Sequence, residues 1–303
     1  SSTGNVDTAA GNITISGNIS GTGALNKDGN STLTLTGVNT YTGTTTINAG
    51  TLQIGNATTG SIASTSVVNN ANLLYGTTVA SGTFGLANST TGTGNLTVTA
   101  KLLKLNGNIT QSGNVSLTGS TAGGLYASGI EFVNDTTITA GNITLTGDLG
   151  RNGGTAGNLT LNTSATNGAI TINASVSRSG VWYGVSTFTA NAGTGNLTVS
   201  GANLATNWGV SGATTFTGAL NISSGFTSGG PLNLNATGNS TVAGNLALAS
   251  SSTNTWTVNP NLTMTVSGNL SGTSAAITKN GTGLLVLSGS NSYTGATTIN
   301  AGP

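Results

Sequence analysis

Short runs in which apolar and polar residues alternate dominate the chain. In GNITISGNISGTG, which starts at Gly11, isoleucines at 13, 15 and 19 alternate with threonine, serine and asparagine. Alternation with a period of two places successive side chains on opposite faces of a β-strand. Glycine and asparagine separate the runs, as is typical of turns between short strands. The pattern therefore predicts an all-β chain.

One short unit, a glycine-led turn followed by about five strand residues, recurs through the middle of the chain. Variants include GNLTVTA at 94–100, GNITLTGDL at 141–149 and GNLTVSG at 195–201. Their spacings drift between roughly 13 and 23 residues, the size of repeats that stack in a line. Between 57 and 79 the alternation blurs, and we expect Val67, Val68, Leu73 and Leu74 to face inward there. No segment has helical periodicity, because glycine interrupts every run.

A longer motif occurs twice. KDGNSTLTLTGVNTYTGTTTINAG at 27–50 and KNGTGLLVLSGSNSYTGATTINAG at 279–302 match at 15 of 24 positions, with a constant offset of 252 residues (279 against 27). GNLSGT at 268–273 matches GNISGT at 17–22 one residue out of step, which indicates a single insertion before Lys279. The chain is thus expected to hold one unit of about 252 residues and the start of the next.

These patterns predict a right-handed parallel β-helix, a β-solenoid, that runs as one continuous body over residues 1–303. At about 20 residues per turn it would have roughly 15 rungs. A β-sandwich or β-barrel is the rival architecture. Quasi-regular repeats, small side chains and near-identical ends favour the solenoid. Its like residues would lie about 4.8 Å apart on successive turns, with apolar columns inside and asparagine ladders at the corners.

Composition narrows the possible functions. Only 4% of residues are charged, against roughly 25% in ordinary domains. A net charge of +1 provides no field for nucleic acid, and no apolar run approaches the roughly 18 residues that span a bilayer. The chain has no cysteine and no histidine, which removes disulfides and the commonest metal ligands. We therefore expect no cofactor, no metal, no nucleic-acid partner and no membrane insertion by this chain.

The long motif carries a family resemblance. The pattern K-x-G-x-x-x-L-x-L-x-G-x-N-x-Y-T-G-x-T-T-I-N-A-G resembles the autotransporter-associated β-strand repeat, also called the passenger-associated transport repeat. The matching residues, with their copies up to Gly302, are Gly29, Leu33, Leu35, Gly37, Asn39, Tyr41, Gly43, Thr45, Ile47, Gly50 and Leu52. The GNLTL and GAITIN runs are similar to filamentous-haemagglutinin-type surface proteins. The resemblance implies a secreted, surface-exposed β-helical stalk of a Gram-negative-type cell.

Catalytic candidates are few. The carboxylates are Asp7, Asp28, Glu131, Asp135 and Asp148. Polysaccharide-cleaving β-helices need clustered carboxylates, and only Glu131 and Asp135 are near one another in sequence. Within one strand, a separation of four residues places them on one face about 13 Å apart, too far for paired catalysis. We therefore expect solvated charges and no enzyme.

Aromatic residues are the best candidates for ligand contacts. Trp182, Tyr183, Trp208 and Trp256 could stack on sugar rings, and the first three lie beside glycine corners, although filling a wider turn is the favoured interpretation. A second group recurs at equivalent motif positions and is expected to mark corners of the repeat: Tyr41, Gly43, Gly50, Tyr293, Gly295 and Gly302.

The leading hypothesis is a structural β-solenoid of a stalk, fibre or sheath at the bacterial cell surface, with adhesion as an additional role that it allows. Self-association, head to tail or lateral or through covalent tandem repeats, is the expected partnership. An adhesin passenger that binds carbohydrate or a host surface is the alternative, and a β-helical glycan-active enzyme is the third hypothesis. Trp182 and Trp208 pointing outward in one groove would favour the adhesin. Clustered carboxylates with a basic residue would favour the enzyme.

Overall fold

The computed structural model describes residues 2–56, 60–64, 66–76, 83–86, 89–100, 102–105, 107–119, 129–132, 135–147, 149–150, 157–173, 185–200, 213–223 and 225–303. Strands, turns and irregular segments account for all of these residues, and none of them is helical. Nothing in this part of the chain could therefore cross a membrane as an apolar helix. The chain divides into two compact units, Ser1–Gly141 and Asn142–Pro303.

Unit 1 consists of short strands separated by corners. Its strands are β1 (Thr3–Asp7), β2 (Ile13–Ile15), β3 (Ala24–Asp28), β4 (Thr32–Leu35), β5 (Val38–Asn39), β6 (Thr45–Ile47), β7 (Thr51–Ile54), β8 (Ser61–Ile62), β9 (Ser66–Asn69), β10 (Asn72–Gly76), β11 (Thr83–Leu86), β12 (Ser89–Gly92), β13 (Asn95–Ala100), β14 (Leu102–Leu105), β15 (Ile109–Gln111), β16 (Asn114–Gly119), β17 (Gly129–Phe132) and β18 (Thr136–Thr139).

Unit 2 continues the same pattern with two longer strands. Its strands are β19 (Asn142–Thr146), β20 (Leu149–Gly150), β21 (Gly157–Asn162), β22 (Ile170–Asn173), β23 (Val185–Ser200), β24 (Thr214–Ile222), β25 (Phe226–Thr227), β26 (Leu232–Ala236), β27 (Ser240–Val242), β28 (Leu246–Ala247), β29 (Thr253–Val258), β30 (Thr263–Val266), β31 (Leu270–Ser271), β32 (Ala276–Asn280), β33 (Leu284–Leu287) and β34 (Thr297–Ile299).

Strands pair in parallel with the strand at the equivalent position of the next turn, which is usually two or three strands later in the chain. In unit 1, one column runs β1–β3–β6–β9–β12–β15–β18 and a second runs β2–β4–β7–β10–β13–β16. In unit 2, the columns run β21–β23–β24–β26–β29–β32–β34 and β19–β22–β23–β24–β27–β30–β33. Parallel columns of successive turns confirm the predicted β-solenoid. Continuity of the solenoid across all 303 residues stays a prediction.

Turn length is less regular than predicted. Register partners lie 18 residues apart where Thr214 pairs with Leu232, and 29 apart where Ile109 pairs with Ile138. The number of turns consequently differs slightly from the roughly 15 expected from a uniform 20-residue turn. Most of the difference in length lies in the corners, and the pairings of β23 with β21 and with β24 also contain register shifts.

Inward side chains stack directly on one another. In unit 1, one buried column contains Leu33, Leu52, Leu73, Leu96 and Val115, each at most 1% exposed. Such a column removes nearly all its apolar surface from water, which stabilises the fold by about 25 cal/mol per Å² of buried apolar surface. The same alternation corrects one expectation: Val67 and Leu73 are buried, but Val68 and Leu74 are only half-buried. Adjacent residues of a strand point to opposite faces, so the four could not all face inward.

Asparagine side chains connect the corners of successive turns. The Oδ1 atoms of Asn12, Asn18 and Asn95 accept backbone N–H groups of Thr32, Val38 and Asn114 at 2.8–2.9 Å. Unit 2 repeats the contact, for example from Ala169 N to Asn142 Oδ1 at 2.7 Å. The expected amide-to-amide ladder occurs in places, such as Asn95 Nδ2 to Asn72 Oδ1 at 3.2 Å. Asparagine thus satisfies backbone donors where the strand ladder is interrupted.

Buried phenols give unit 1 a predictable response to alkali. Burial raises the pKa of Tyr75 and of Tyr41, each 2% exposed, above the ordinary value. The unfolded phenols ionise near pH 10 while the buried ones stay neutral, so the folded state loses relative stability as the pH rises further. We expect the free energy of unfolding to fall above pH 10 by up to about 1.4 kcal/mol per pH unit for each tyrosine.

Urea titrations between pH 8 and 12, followed by far-UV circular dichroism, measure this decline. The Tyr75→Phe variant should show a shallower decline than the unsubstituted protein, because one ionising group is removed. Equal slopes for the two proteins would contradict the assignment to Tyr75.

Candidate functional site

The two copies of the long motif each occupy corresponding strands and corners. The first copy runs from Lys27 on β3 through β4, β5 and β6 to Gly50, and the second runs from Lys279 on β32 through β33 and β34 to Gly302. Leu25 and Lys27 are buried on β3, as Ile277 and Lys279 are on β32. The alternation that buries the apolar residue therefore also carries the lysine two positions later into the interior.

Both lysines have their ammonium groups surrounded by backbone carbonyl oxygens. Lys27 Nζ donates to Asp28 O at 2.9 Å, to Gly29 O at 2.7 Å and to Ala49 O at 2.9 Å. Its side chain is 0% exposed. An ammonium has three donors, so three carbonyls satisfy it completely. We call this arrangement the lysine clamp, because it ties the corner after β3 to the corner after β6 one turn later.

The second copy reproduces the clamp at the same offset. Lys279 Nζ donates to Asn280 O at 3.2 Å, Gly281 O at 2.6 Å and Ala301 O at 2.9 Å, and the side chain is 1% exposed. The two parts of the motif that are far apart in sequence, K-x-G and N-A-G, thus meet at one buried ammonium. This contact explains why both are present in each copy.

Burial lowers the pKa of both lysines, because desolvation disfavours the charged form. At Lys27 the nearby carboxylates of Asp28 and Asp7 partly oppose this lowering of the pKa. The second copy has Asn280 where the first has Asp28, and burial alone lowers the pKa of Lys279. The same clamp therefore forms without the carboxylate at that position, and the carbonyl oxygens are its shared component.

The tyrosine of the motif closes a corner. Tyr41 lies between β5 and β6, and its hydroxyl is 2.7 Å from Thr45 Oγ1; Tyr293 and Thr297 repeat the contact at 2.6 Å. Tyr41 is 2% exposed, whereas Tyr293 is half-buried; β34 beside it pairs with β32 alone among the described strands. Both tyrosine hydroxyls bond within their own corner, and the buried ring of Tyr41 is not presented for ligand stacking.

The marker glycines lie where the backbones of two turns approach closely. A Cβ atom on Gly43 would lie 2.2 Å from Gly23 O, and one on Gly295 would lie 2.2 Å from Ala275 O. Gly50 and Gly302 adopt φ values of 64° and 70°, which side-chain-bearing residues rarely adopt. Stacking of one turn on the next therefore requires glycine at these positions in each copy.

The expected insertion is visible as a shift in one hydrogen bond. Asn39 Oδ1 accepts from Ile19 N, 20 residues earlier, whereas Asn291 Oδ1 accepts from Leu270 N, 21 residues earlier. The preceding turn of the second copy thus contains one additional residue, while the asparagine contact is kept.

Of the four aromatic candidates for ligand stacking, the structure describes one, Trp256. Trp182, Tyr183 and Trp208 lie outside the described residues. Trp256 is 0% exposed, and its Nε1 donates to Leu232 O at 3.1 Å. Trp256 is therefore not a stacking platform: it fills the interior of a wide turn, where a single backbone acceptor satisfies its only donor.

The carboxylates form no cluster in the part of the chain that the structure describes. The strand that carries Glu131 ends at Phe132, and Asp135 lies just before β18. Contrary to the expectation, the two carboxylates are therefore not on one strand. Asp148 lies outside the described residues. Asp7 and Asp28 form hydrogen bonds at corners instead. Asp7 Oδ1 accepts from Ala9 N, and Asp28 Oδ1 accepts from Asn48 Nδ2, each at 2.8 Å.

A shallow groove lies on the third face of unit 2, where β25, β28 and β31 stack. Its volume is about 620 Å³, within the range of small-molecule sites. The lining is uncharged and consists of Ser223, Gly225, Thr227, Ala243, Gly244, Asn245, Leu246, Ala247, Asn269 and Ser271. Asn245 and Asn269 are exposed, and their Oδ1 atoms accept backbone N–H groups of the next turn. Their Nδ2 groups remain available to a ligand.

Sequence reasoning recognised the motif but missed its lysine. The signal that could have identified it is that Lys27 and Lys279 occupy inward positions of their strands, two residues after a buried apolar residue. The sequence could not predict that the lysine Nζ lies within hydrogen-bond distance of the alanine carbonyl oxygen of N-A-G. That distance depends on how turns of unequal length stack.

Removing the ammonium of the clamp is expected to destabilise unit 1. In Lys27→Met the carbonyl oxygens lose three charge-assisted contacts, while the aliphatic stem is largely preserved. We expect a loss of about 1–3 kcal/mol in the free energy of unfolding, measured by urea titration. The control is Thr14→Met at an exposed strand position of the same unit, where a change within about 0.5 kcal/mol is expected. Equal effects of the two substitutions would show that the clamp contributes nothing.

The family comparison matches the two regions that contain the clamp. The passenger-associated-transport-repeat model matches residues 25–54 and 277–302. No curated protein and no solved structure shows a significant match. The repeat implies a secreted or cell-surface protein. Two matches to this repeat, together with the parallel β-solenoid, support an autotransporter-type β-helical passenger.

Proposed function

We propose that this passenger is a structural β-solenoid of a stalk, fibre or sheath at the bacterial cell surface. The observation that carries the proposal is the way successive turns are connected: parallel strand ladders, buried side-chain columns and corner contacts all join one turn to the next. A lysine clamp reinforces the turn that contains each copy of the repeat. Such repetition resists extension along the stacking direction, because each turn is held at several points.

The surface chemistry supports a structural role over catalysis. Only 4% of the residues are charged, so neighbouring copies repel each other weakly. The described carboxylates are dispersed or occupied at a corner, which is unsuited to acid–base cleavage of glycans. We propose that the protein is not an enzyme and that its principal partner is another copy of the same repeat, joined covalently or by association.

Electron microscopy of the native assembly, with a polysaccharide hydrolysis assay on the purified chain, tests this function. We expect continuous rods with a meridional repeat of about 4.8 Å and no release of reducing sugar. Isolated globular particles with hydrolytic activity would contradict the proposal.

Carbohydrate binding is a second candidate function, and the groove on unit 2 favours it. Its uncharged lining offers hydroxyl groups and the amides of Asn245 and Asn269, which suit neutral sugar hydroxyls. Adhesion to glycans would be compatible with a structural solenoid.

A glycan array tests the second function. We expect neutral glycans to bind, and the Asn245→Ala/Asn269→Ala variant to lose at least tenfold in affinity. The matched control is Asn12→Ala/Asn18→Ala, which removes the same kind of corner contact from unit 1. Unchanged affinity in the groove variant, or equal losses in both, would contradict binding in this groove.

A further inference from the structure

Three fully buried polar side chains lie near one another in unit 1, away from the repeat. Asn69 on β9 and Thr90 on β12 are each 0% exposed, and Gln111 on β15 is 2% exposed. Within the described residues, four of their side-chain atoms have no hydrogen-bond partner: Asn69 Oδ1, Thr90 Oγ1, Gln111 Nε2 and Gln111 Oε1. Buried polar atoms are almost always satisfied by protein or by ordered water, so this group requires a partner.

Register places the three on successive turns. Thr90 pairs with Val67 and with Ile109, so Gly92, two residues later, lies between Asn69 and Gln111 in the column of stacked positions. Thr90 is two residues from Gly92 on the same strand and therefore shares its face. All three polar side chains consequently project toward the same side of the interior.

Gly92 leaves a gap in this column. It contributes no side chain between the two amides, and it cannot be enlarged, because a Cβ atom there would lie 2.2 Å from Asn69 O. The backbones of Asn69 and Gln111 are two turns apart, roughly 10 Å at about 4.8 Å per turn. The space between the amides thus belongs to no side chain of the column.

We propose that this gap is an internal water-binding site, which we call the Gly92 site. Asn69 Nδ2 donates to Asn95 O at 2.9 Å, which orients Asn69 Oδ1 as an acceptor. Gln111 presents both a donor NH₂ group and an acceptor oxygen whichever way its amide is turned. Water both donates and accepts, so one or two molecules satisfy all four atoms.

A metal ion fits the Gly92 site less well. It would contact oxygen atoms of Asn69, Thr90 and Gln111 but would also face the Gln111 amide N–H. The stacked positions Lys27, Ile47, Asn69, Gly92 and Gln111 contribute no carboxylate to balance the charge. Water has neither disadvantage. The proposal concerns the interior of unit 1 and is independent of the proposed function.

High-resolution crystallography of the whole chain tests the site directly. We expect density for ordered water within about 2.7–3.2 Å of the Gln111 amide and of Asn69 Oδ1. A dry site, direct contact between the side chains, or a peak that rubidium replaces with an anomalous signal would overturn the proposal.

A double-mutant cycle provides a solution test. Asn69 and Gln111 are two turns apart and make no hydrogen bond with each other, so the shifts in urea midpoint of Asn69→Leu and Gln111→Leu would be additive without a bridge. A shared water makes them non-additive, with the double variant shifted less than the sum. The control pair is Leu33→Ala and Val115→Ala, which lie four turns apart in one column, have no common neighbour and are expected to be additive. Additive shifts at the Gly92 site would overturn a bridging water, and the crystal structure decides the matter if a variant fails to fold.

Discussion

Parallel stacking of turns in register is the constraint on which the rest of the structure depends. When a strand pairs with its counterpart one turn later, each inward side chain lies directly above the equivalent side chain of the previous turn. Leu33, Leu52, Leu73 and Leu96 form one such column, and all are at most 1% exposed. A change at one position therefore affects two neighbours in the same column. Turns differ in length mainly at the corners, where the strands are interrupted, and also at the register shifts of β23.

The corners then have to satisfy backbone groups that the strand ladders leave out. Asparagine oxygens accept N–H groups at many of these positions, as Asn12 and Asn142 illustrate. The lysine clamp serves the opposite need, because its ammonium supplies three donors to carbonyl oxygens. Its occurrence with Asp28 in one copy and Asn280 in the other shows that a carboxylate beside the lysine is not essential. Buried charge is tolerated here because every donor has an acceptor.

Polar residues in the interior have distinct roles that their residue type alone does not reveal. Lys27 connects two corners, Trp256 fills a wide turn, and Asn254 donates to Ala276 O at 2.9 Å. Asn69 and Gln111 differ from these, because part of their hydrogen-bonding capacity has no protein partner among the described residues. The outer surface, by contrast, is nearly uncharged. This combination supports the structural role that we propose.

The sequence by itself determined the strands, the corners, the repeat and the class of fold. Each of these depends on local pattern: alternation with a period of two, glycine and asparagine at turns, and a motif that recurs 252 residues later with 15 of 24 positions matched. Only the tertiary structure decided which side Val68 and Leu74 face, that Lys27 is buried, and that Trp256 contacts Leu232 O. Those outcomes depend on the register between turns of 18 to 29 residues, and the length of a corner does not reveal that register. A strand pattern specifies two faces, but the neighbouring turn determines which atoms meet the side chains on each of them.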